Sequence, residues 1–370
     1  MRTRPIVVVG GGVIGLLTAR ELALAGHEVR LFEQGHLGRE ASWAAGGILS
    51  PLHPWRYPDP VTRLAQPSME AYPALCESLA RSTGIDPEWT PSGLMRLGED
   101  EGTEARRWAD RFTVSLEPKS LGEICPDRGV DGAGFWMPAV AHVRSPRLLR
   151  ALEAELRILK IAIHEETMVE GVTRERERLT GLVVNGETIA VSRVVVCGGA
   201  WTRSLLERYG LALPVRPMRG QMIVIQTPPG FLKPMILKGG RYLVPRRDGA
   251  VLVGSTMESV GFVKETTEVA RDDLIAAAHG IWPELAAYPV THQWAGLRPS
   301  SPDGVPFIGE HPEIRGLFVS TGHFRNGIVL APASARLAAD LVLERDGTLD
   351  PRPYGLDRVA EGARDAPVLK

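Results

Sequence analysis

The chain has 370 residues, which is long enough to bury a large core and to form two domains. Apolar residues make up 44% and charged residues 24% of the chain, as is ordinary for a globular protein. The net charge of −1 provides no field that would attract nucleic acid or an anionic membrane, so we expect neither as a partner.

The three cysteines, Cys76, Cys125 and Cys197, are widely spaced and odd in number. This pattern predicts no disulfide framework and is typical of a reducing cytoplasm. The N-terminal apolar run at 6–9 is too short for a signal peptide, and no run has the length of a membrane span. We therefore expect a cytoplasmic protein.

The first forty residues predict the order strand, glycine-rich turn, helix and strand. The β-branched run at 6–9 is typical of a buried strand, and 29–32 predicts a second one. Between them, 16–25 has a helical pattern that Gly26 ends. This is the first half of a parallel βαβ unit.

The glycines of this turn have the spacing G-x-G-x-x-G. Gly10 allows a tight turn, Gly12 lets a pyrophosphate approach the backbone, and Gly15 lets the helix pack closely on the strand. Glu33 follows the second strand, where a carboxylate accepts bonds from an adenosine ribose. The motif predicts dinucleotide binding, and the alternative is a purely structural turn.

The next stretch, GREASWAAGGILSP at 38–51, bears on the choice between NAD and FAD. Small residues let backbone N–H groups come near a pyrophosphate and a flavin ring, and Ser42 can donate to a phosphate. This composition favours FAD. The alternative is a small-residue loop without a ligand.

Further elements follow in chain order. An ordered loop, a candidate lid, is expected at 52–64 because three prolines stand in it, followed by a helix at 66–82. Ser145-Pro146 predicts a helix start, and Asn185-Gly186 the turn of a hairpin spanning 180–190. The remaining elements are predicted strands at 193–197, 221–226, 242–245, 250–254 and 317–320, the loop TGHFRNG, and a helix from Ile328 onward.

Glycine-rich strand ends recur near 197 and 322, far from the N-terminal motif. This predicts an α/β fold in which a Rossmann-type FAD-binding domain is built from separated segments and contains an inserted antiparallel-sheet substrate domain. The expected FAD-binding segments are 1–84, 145–214 and 298–370. The expected substrate-binding segments are 85–144 and 215–297.

Four stretches carry a resemblance over nearly the whole chain: VVVGGGVIG, SWAAGGILSP, RYLVPRRDGAVLVGSTM with WAGLRPSSPDGVPFIG, and GHFRNGIVLAP. The chain resembles the D-amino acid oxidase family of FAD-dependent oxidoreductases, and within it the bacterial members of the thiamine pathway. The resemblance implies FAD as cofactor and oxidation of glycine, sarcosine or small D-amino acids to imino acids. Oxygen would reoxidise the flavin to give H2O2, and the imine would hydrolyse to a keto or aldehyde acid and ammonia. A homo-oligomer, with a tetramer common in the family, is also implied.

The resemblance also implies roles for residues whose motifs match. Arg298 falls on the arginine that binds the substrate carboxylate, and Tyr242 falls on a substrate-side tyrosine. Met257 falls on a methionine beside the flavin, and Arg325 falls on the arginine of the GHFRNG loop, which could line the site. Besides the motif glycines and Glu33, the implied FAD contacts are Val13, Ile14, Gln34, Ala41, Ser42, Gly46, Gly47, Ile48, Val169, His323, Phe324, Arg325, Asn326, Gly327, Ile328 and Val329.

Each substrate-side assignment has an alternative. A buried guanidinium needs an anionic or carbonyl partner, so Arg298 either binds the substrate carboxylate or forms an internal salt bridge, for instance with Asp303. The alternative for Tyr242 is a half-buried strand residue, for Met257 core packing, and for Arg325 a structural ion pair. No histidine has metal-ligand spacing, so no metal is expected.

Two departures from the family pattern bear on details. Gly240 stands two positions before the tyrosine, where relatives often have histidine, which leaves the fine substrate preference open. Trp43 stands where a small residue is common, which leaves the loop path near the flavin open.

Three functions remain open at this point. The first is an oxidase of glycine and small amines that uses oxygen. The second is a D-amino acid dehydrogenase of the same fold, passing electrons to a membrane acceptor. The third is a non-catalytic flavin-binding subunit, against which the presence of both Arg298 and Tyr242 argues.

Overall fold

The structure is a computed structural model that describes residues 4–98, 100–128 and 132–358. The outer ends of the first and last predicted segments, 1–3 and 359–370, lie outside the described residues. In chain order the strands are β1 (Ile6–Val9), β2 (Val29–Phe32), β3 (Leu94–Leu97), β4 (Glu117–Ser120), β5 (Ala133–Met137), β6 (Ala162–His164), β7 (Val169–Glu175), β8 (Arg178–Val184), β9 (Glu187–Ala190), β10 (Arg193–Val196), β11 (Arg216–Gln226), β12 (Met235–Lys238), β13 (Arg241–Pro245), β14 (Ala250–Gly254), β15 (Val290–Ser300), β16 (Phe307–His311) and β17 (Ile314–Thr321).

The described helices include short and long elements. They are α1 (Val13–Leu24), α2 (Ala41–Ala44), α3 (Asp59–Thr83), α4 (Gly102–Phe112), α5 (Leu121–Ile124), α6 (Ser145–Ile158), α7 (Thr202–Leu206), α8 (Glu268–Ile281) and α9 (Gly327–Val342). None of the helices in the described part of the chain combines the length and the apolar character that a membrane crossing requires.

The first sheet has a parallel centre in the order β6-β2-β1-β10-β17, continued by β8 and β7. Strand β1 alternates between two cores: Ile6 and Val8 pack with α1, α3, α6 and α9, while Val7 and Val9 pack against the β7–β9 side. All four side chains are buried, as expected for the centre of a parallel sheet.

The second sheet has the order β15-β11-β14-β13-β12-β3-β5-β4 and is antiparallel except where β12 meets β3. Its side chains alternate between two faces. Leu243 and Val253 pack with α8, whereas Tyr242, Val244 and Leu252 pack with Ile48 and Leu52 on the opposite face. The predicted α/β fold with a parallel and an antiparallel sheet is confirmed.

The strands of each sheet fall in separate stretches of the chain. Those of the antiparallel sheet lie between 94 and 137 and between 216 and 300, close to the predicted substrate-binding segments. Strand β15 crosses the predicted boundary at 298. The two-domain division itself stays a prediction.

Local predictions agree with the structure at most elements. Asn185 and Gly186 turn the β8–β9 hairpin with φ of 52° and 74°, the left-handed conformation that a tight hairpin turn requires. Helix α1 begins at Val13, three residues before the predicted start, because its first turn follows Gly12 directly.

One local prediction was wrong, and several elements were not predicted. The predicted loop at 52–64 is a loop only up to Pro58, since α3 begins at Asp59 rather than at Gln66. Pro60 lies in the first helical turn, where a missing N–H breaks no helical bond. Strand β15 was not predicted, although it carries Arg298.

Candidate active site

A cavity of about 320 Å³ runs between the two sheets. One end is lined by Glu33 and Val169, and the other by Tyr242 and Arg298. It gathers most of the predicted cofactor residues: Gly10, Gly12, Val13, Ile14, Glu33, Gln34, Ala41, Ser42, Gly46, Gly47, Ile48, Val169, His323, Phe324, Arg325, Gly327 and Ile328.

The glycine motif has the geometry that its spacing predicts. Gly10 has φ of 108°, and a Cβ there would lie 2.4 Å from the Cys197 carbonyl oxygen. A Cβ on Gly15 would lie 1.8 Å from the Gly10 carbonyl oxygen, so Gly15 serves helix–strand packing and does not line the cavity. Gly12 leads into the N-terminus of α1, which favours an anion.

Hydrogen bonds fix the walls of this end. The Glu33 carboxylate accepts bonds from the backbone N–H groups of Gly11, at 2.7 Å, and Gly35, at 2.8 Å. The Val13 N–H donates to the Ser42 hydroxyl at 3.0 Å, which holds the small-residue loop against the first turn of α1. The carboxylate and the hydroxyl therefore line the cavity at defined positions.

The small-residue loop forms α2 and then turns towards the antiparallel sheet. Gly47 has φ of 74°, and a Cβ there would lie 2.0 Å from the Val143 carbonyl oxygen. Trp43 does not line the cavity; its ring packs edge-on against Trp294, whose indole N–H donates to the Ala44 carbonyl at 3.2 Å. The bulky side chain therefore stands behind the loop and leaves the cavity face to small residues.

Arg298 projects from β15 into the far end of the cavity. Its guanidinium donates to the Thr256 carbonyl, at 3.0 Å, and to the Ser255 hydroxyl, at 2.7 Å. Burial lowers the pKa of Arg298 to about 10. The described residues place no carboxylate within ion-pair distance of it, and Asp303 pairs instead with Arg358. The guanidinium is thus a half-buried cation whose hydrogen-bond partners among the described residues are neutral.

Tyr242 lies beside this cation on β13. Its side chain is buried, and its hydroxyl is 3.8 Å from the Met222 sulfur, a weak acceptor. The ring lies over Gly254, its cross-strand neighbour, where a Cβ would come 2.4 Å from the ring. Gly220 gives Arg298 similar room, because a Cβ there would lie 2.1 Å from both guanidinium Nη atoms.

The GHFRNG loop forms the remaining wall as a 3-10 turn before α9. The His323 ring lies 3.0 Å from the Ser334 hydroxyl, and burial lowers the pKa of His323 to about 3, so the ring is neutral. Arg325 lines the cavity and forms no ion pair with any described residue. Its charge acts on Arg298, whose pKa it helps to lower.

Four predicted residues do not line the cavity. Val329 packs in the core beside α3, because its side chain lies on the face of α9 opposite the site. Met257 is half-buried outside the cavity, since the backbone after Gly254 presents Ser255 and Thr256 to Arg298. The others are Gly15, described above, and Asn326, which is buried in the turn.

Other residues at the site were missed by the sequence reading. Arg246 is buried and donates to the Gly46 and Val143 carbonyls at 2.8 Å and 2.9 Å, which fixes the small-residue loop. Ser255 and Thr256 directly precede Met257 in the GSTM motif, so the motif already pointed to the segment that contacts Arg298. Gly220 and Ser320 lie outside the motifs named above and carry no comparable signal.

The cavity suits a flavin dinucleotide. The α1 N-terminus and Ser42 can bind the diphosphate, Glu33 the ribose, and the glycine positions leave the backbone open to close approach. Ser320 lines the cavity, and its buried hydroxyl has no hydrogen-bond partner among the described residues, as expected of a group that bonds a ligand. Among the described residues no cluster of three or more His, Cys, Asp or Glu side chains could hold a metal ion.

Together the βαβ motif, the parallel sheet and the cavity define an FAD-dependent oxidoreductase. The family model described as "DAO: FAD dependent oxidoreductase" matches residues 5–341. The chain belongs to this family, and FAD is its cofactor.

Individual relatives are similar over nearly the whole chain. A glycine oxidase of Pseudomonas aeruginosa is 50% identical over 94% of this chain and 97% of its own length. The crystal structure of a glycine oxidase from Geobacillus kaustophilus superposes with a TM-score of 0.90 at 32% identity, covering 97% of this chain and 99% of that one. A bifunctional protein ThiO/ThiG of Trichormus variabilis is 32% identical over 93% of this chain and 53% of its own length.

Proposed function

We propose that this FAD-dependent amine oxidase acts on glycine and small amino acids, with sarcosine and small D-amino acids as further substrates. Glycine, oxygen and water would yield glyoxylate, ammonia and H2O2. The observation that carries the proposal is the half-buried Arg298 guanidinium, which faces the cavity and has no carboxylate of a described residue within ion-pair distance. The likeness to glycine oxidases supports the same substrate.

Arg298 and Tyr242 would bind the substrate carboxylate. The two protein bonds of Arg298 leave N–H donors of its guanidinium free for a carboxylate, and the Tyr242 hydroxyl supplies a further donor. Both side chains project from strands of one sheet, β13 and β15, and line the same cavity, so they would orient the substrate α-carbon as well as bind it. Bound FAD supplies the hydride acceptor and passes the electrons to oxygen.

The substrate amine would react in its neutral form. Both described carboxylates that line the cavity are engaged elsewhere, Glu33 with backbone N–H groups and Glu40 with Lys264 at 2.9 Å. The neutral His323 ring is bonded to Ser334. Arg298 and Arg325 repel an ammonium group, which favours loss of its proton before binding. With a neutral amine, no described residue of the cavity would be needed as a base.

Two expectations from the family resemblance extend the proposal. We place the reaction in thiamine thiazole synthesis, and the likeness to one part of a bifunctional ThiO/ThiG protein supports a product used by a following enzyme. We also expect a homo-oligomer, which the mass in solution will test.

Anaerobic mixing of the purified holoenzyme with glycine tests the proposal. We expect the flavin band at about 450 nm to bleach. When oxygen is admitted, we expect the flavin absorbance to recover rapidly with formation of H2O2. Bleaching without recovery in air would favour the dehydrogenase. No bleaching with glycine, sarcosine or D-alanine would contradict the proposal and favour a flavin-binding subunit.

A further inference from the structure

The two groups that accept hydrogen bonds from Arg298 lie on a segment that is itself fixed by further hydrogen bonds. The Thr256 carbonyl and the Ser255 hydroxyl, which accept the guanidinium bonds, follow β14 immediately. A shift of this segment would move the guanidinium with it. The group that fixes the segment therefore also controls where a substrate carboxylate can bind.

Glu258 is placed to fix it. Its carboxylate accepts bonds from the Thr256 hydroxyl, at 2.5 Å, and from the Gln221 side-chain amide, at 3.0 Å, on one oxygen. The other oxygen accepts a bond from Arg219, at 2.5 Å. The backbones of Glu258 and Arg219 exchange two further bonds of 2.9 Å, which tie the segment to β11.

The network lies outside the cavity, and its members other than the half-buried Glu258 are shielded from water. Arg219, Gln221 and Thr256 are buried, and Gln221 is 0% exposed. Neither Thr256 nor Glu258 lines the cavity, so neither is placed to touch the substrate. Glu258 pairs with Arg219 and its charge also acts on Arg298, so this carboxylate offsets part of the charge of both cations.

We propose that Glu258 is a positioning residue for substrate binding, which acts through Thr256 and Ser255 to hold the Arg298 guanidinium in place. This inference rests on the proposed function, since it assumes that Arg298 binds the substrate carboxylate. Because Glu258 does not line the cavity, contacts with the substrate would not identify its role.

The hydrogen-bond partners of the Glu258 carboxylate indicate which substitution tests its role. All three side-chain partners of Glu258 donate hydrogen bonds to its carboxylate. Glu258→Gln keeps the side-chain volume but places an amide nitrogen, which is itself a donor, opposite one of these donors. A second pair tests the link itself: Thr256→Val removes the hydroxyl at nearly constant shape, whereas Thr256→Ser keeps it. Glu344→Gln is the matched control, because it removes the same charge from an ion pair with Arg193 on the surface.

Acetate, which is glycine without its amine, reports carboxylate binding without turnover. Its Kd is measured from the change it causes in the flavin absorbance of the holoenzyme, beside KM and kcat for glycine, FAD content and Tm. For Glu258→Gln and Thr256→Val we expect Kd and KM to rise by roughly tenfold, the effect of one misplaced charge-assisted bond, with a smaller change in kcat. Thr256→Ser, which keeps the hydroxyl, should change Kd and KM less than Thr256→Val does, and Glu344→Gln should match the wild type.

The outcomes separate the two proposals. If the wild-type holoenzyme neither binds acetate nor oxidises glycine, both proposals fail. If it does both, and folded, FAD-loaded Glu258→Gln keeps Kd and KM within about twofold, the role of Glu258 alone is overturned. Should Glu258→Gln not fold, the Thr256 pair decides: equal Kd values for Val and Ser would overturn the inference, and a higher value for Val alone would support it.

Discussion

A methyl group added at Gly220 should displace Arg298 without removing its charge. Gly220 lies on β11, and a Cβ there would stand 2.1 Å from both Nη atoms of Arg298 and 2.2 Å from its Cζ. The backbone of Gly220 is in the extended region open to any residue, so Gly220→Ala introduces no backbone strain. The clash falls on the far end of a flexible side chain, which can move.

The distance sets the size of the effect. Non-bonded carbon and nitrogen atoms need about 3.5 Å, so the guanidinium must move by more than about 1 Å. Such a movement breaks the short bonds to the Thr256 carbonyl and the Ser255 hydroxyl. A misplacement of this size costs on the order of 100-fold in kcat/KM, whereas the free energy of unfolding should change by only about 1 kcal/mol.

Oxygen consumption at varied glycine concentration measures kcat/KM, and FAD content and thermal unfolding are recorded for the same preparations. Gly280→Ala is the matched control, because a Cβ at Gly280 meets nothing within 4 Å. It lies in α8, where alanine is the better helix former, so its activity should equal that of the wild type. A folded, FAD-loaded Gly220→Ala enzyme with unchanged kcat/KM would refute the reasoning, since the position of the guanidinium would then not matter.

Four further variants or conditions extend these expectations. Arg298→Ala should lower kcat/KM for glycine by roughly 30- to several-thousand-fold, equivalent to about 2–5 kcal/mol, and activity within threefold of wild type would argue against carboxylate binding. Tyr242→Phe should raise KM by roughly fivefold with FAD content unchanged, because one neutral donor is lost; an unaltered KM would remove its role. Glu33→Gln should raise the Kd of FAD by roughly tenfold in reconstitution of the apoprotein, and equal affinity would contradict the ribose assignment. Burial lowers the pKa of both His142 and His323 to about 3, so each is neutral when folded and takes up a proton on unfolding below its usual pKa of 6.5. The free energy of unfolding, measured with urea, should therefore fall as the pH drops from about 6.5 towards 3, and a flat profile would contradict this.

The end of the cavity beside Glu33 follows from local sequence patterns. The strand at 6–9, the glycine turn and Glu33 are neighbours along the chain, and their geometry depends on local backbone rules that residue types express directly. The Asn185-Gly186 turn is local in the same sense, because both residues accept a positive φ. Such features need no knowledge of the tertiary contacts.

The end of the cavity beside Arg298 depends on contacts between distant parts of the chain. The contact between Gly220 and Arg298 depends on the antiparallel register of β11 and β15, which pairs Met218 with Arg298 across about eighty residues of chain. The faces of helix α9 also follow from packing: Ile328 lines the cavity while Val329 enters the core beside α3. Arg298 therefore stood out in the sequence as a buried cation in need of a partner, but only the pairing of distant strands determines what surrounds it and which groups hold it in place.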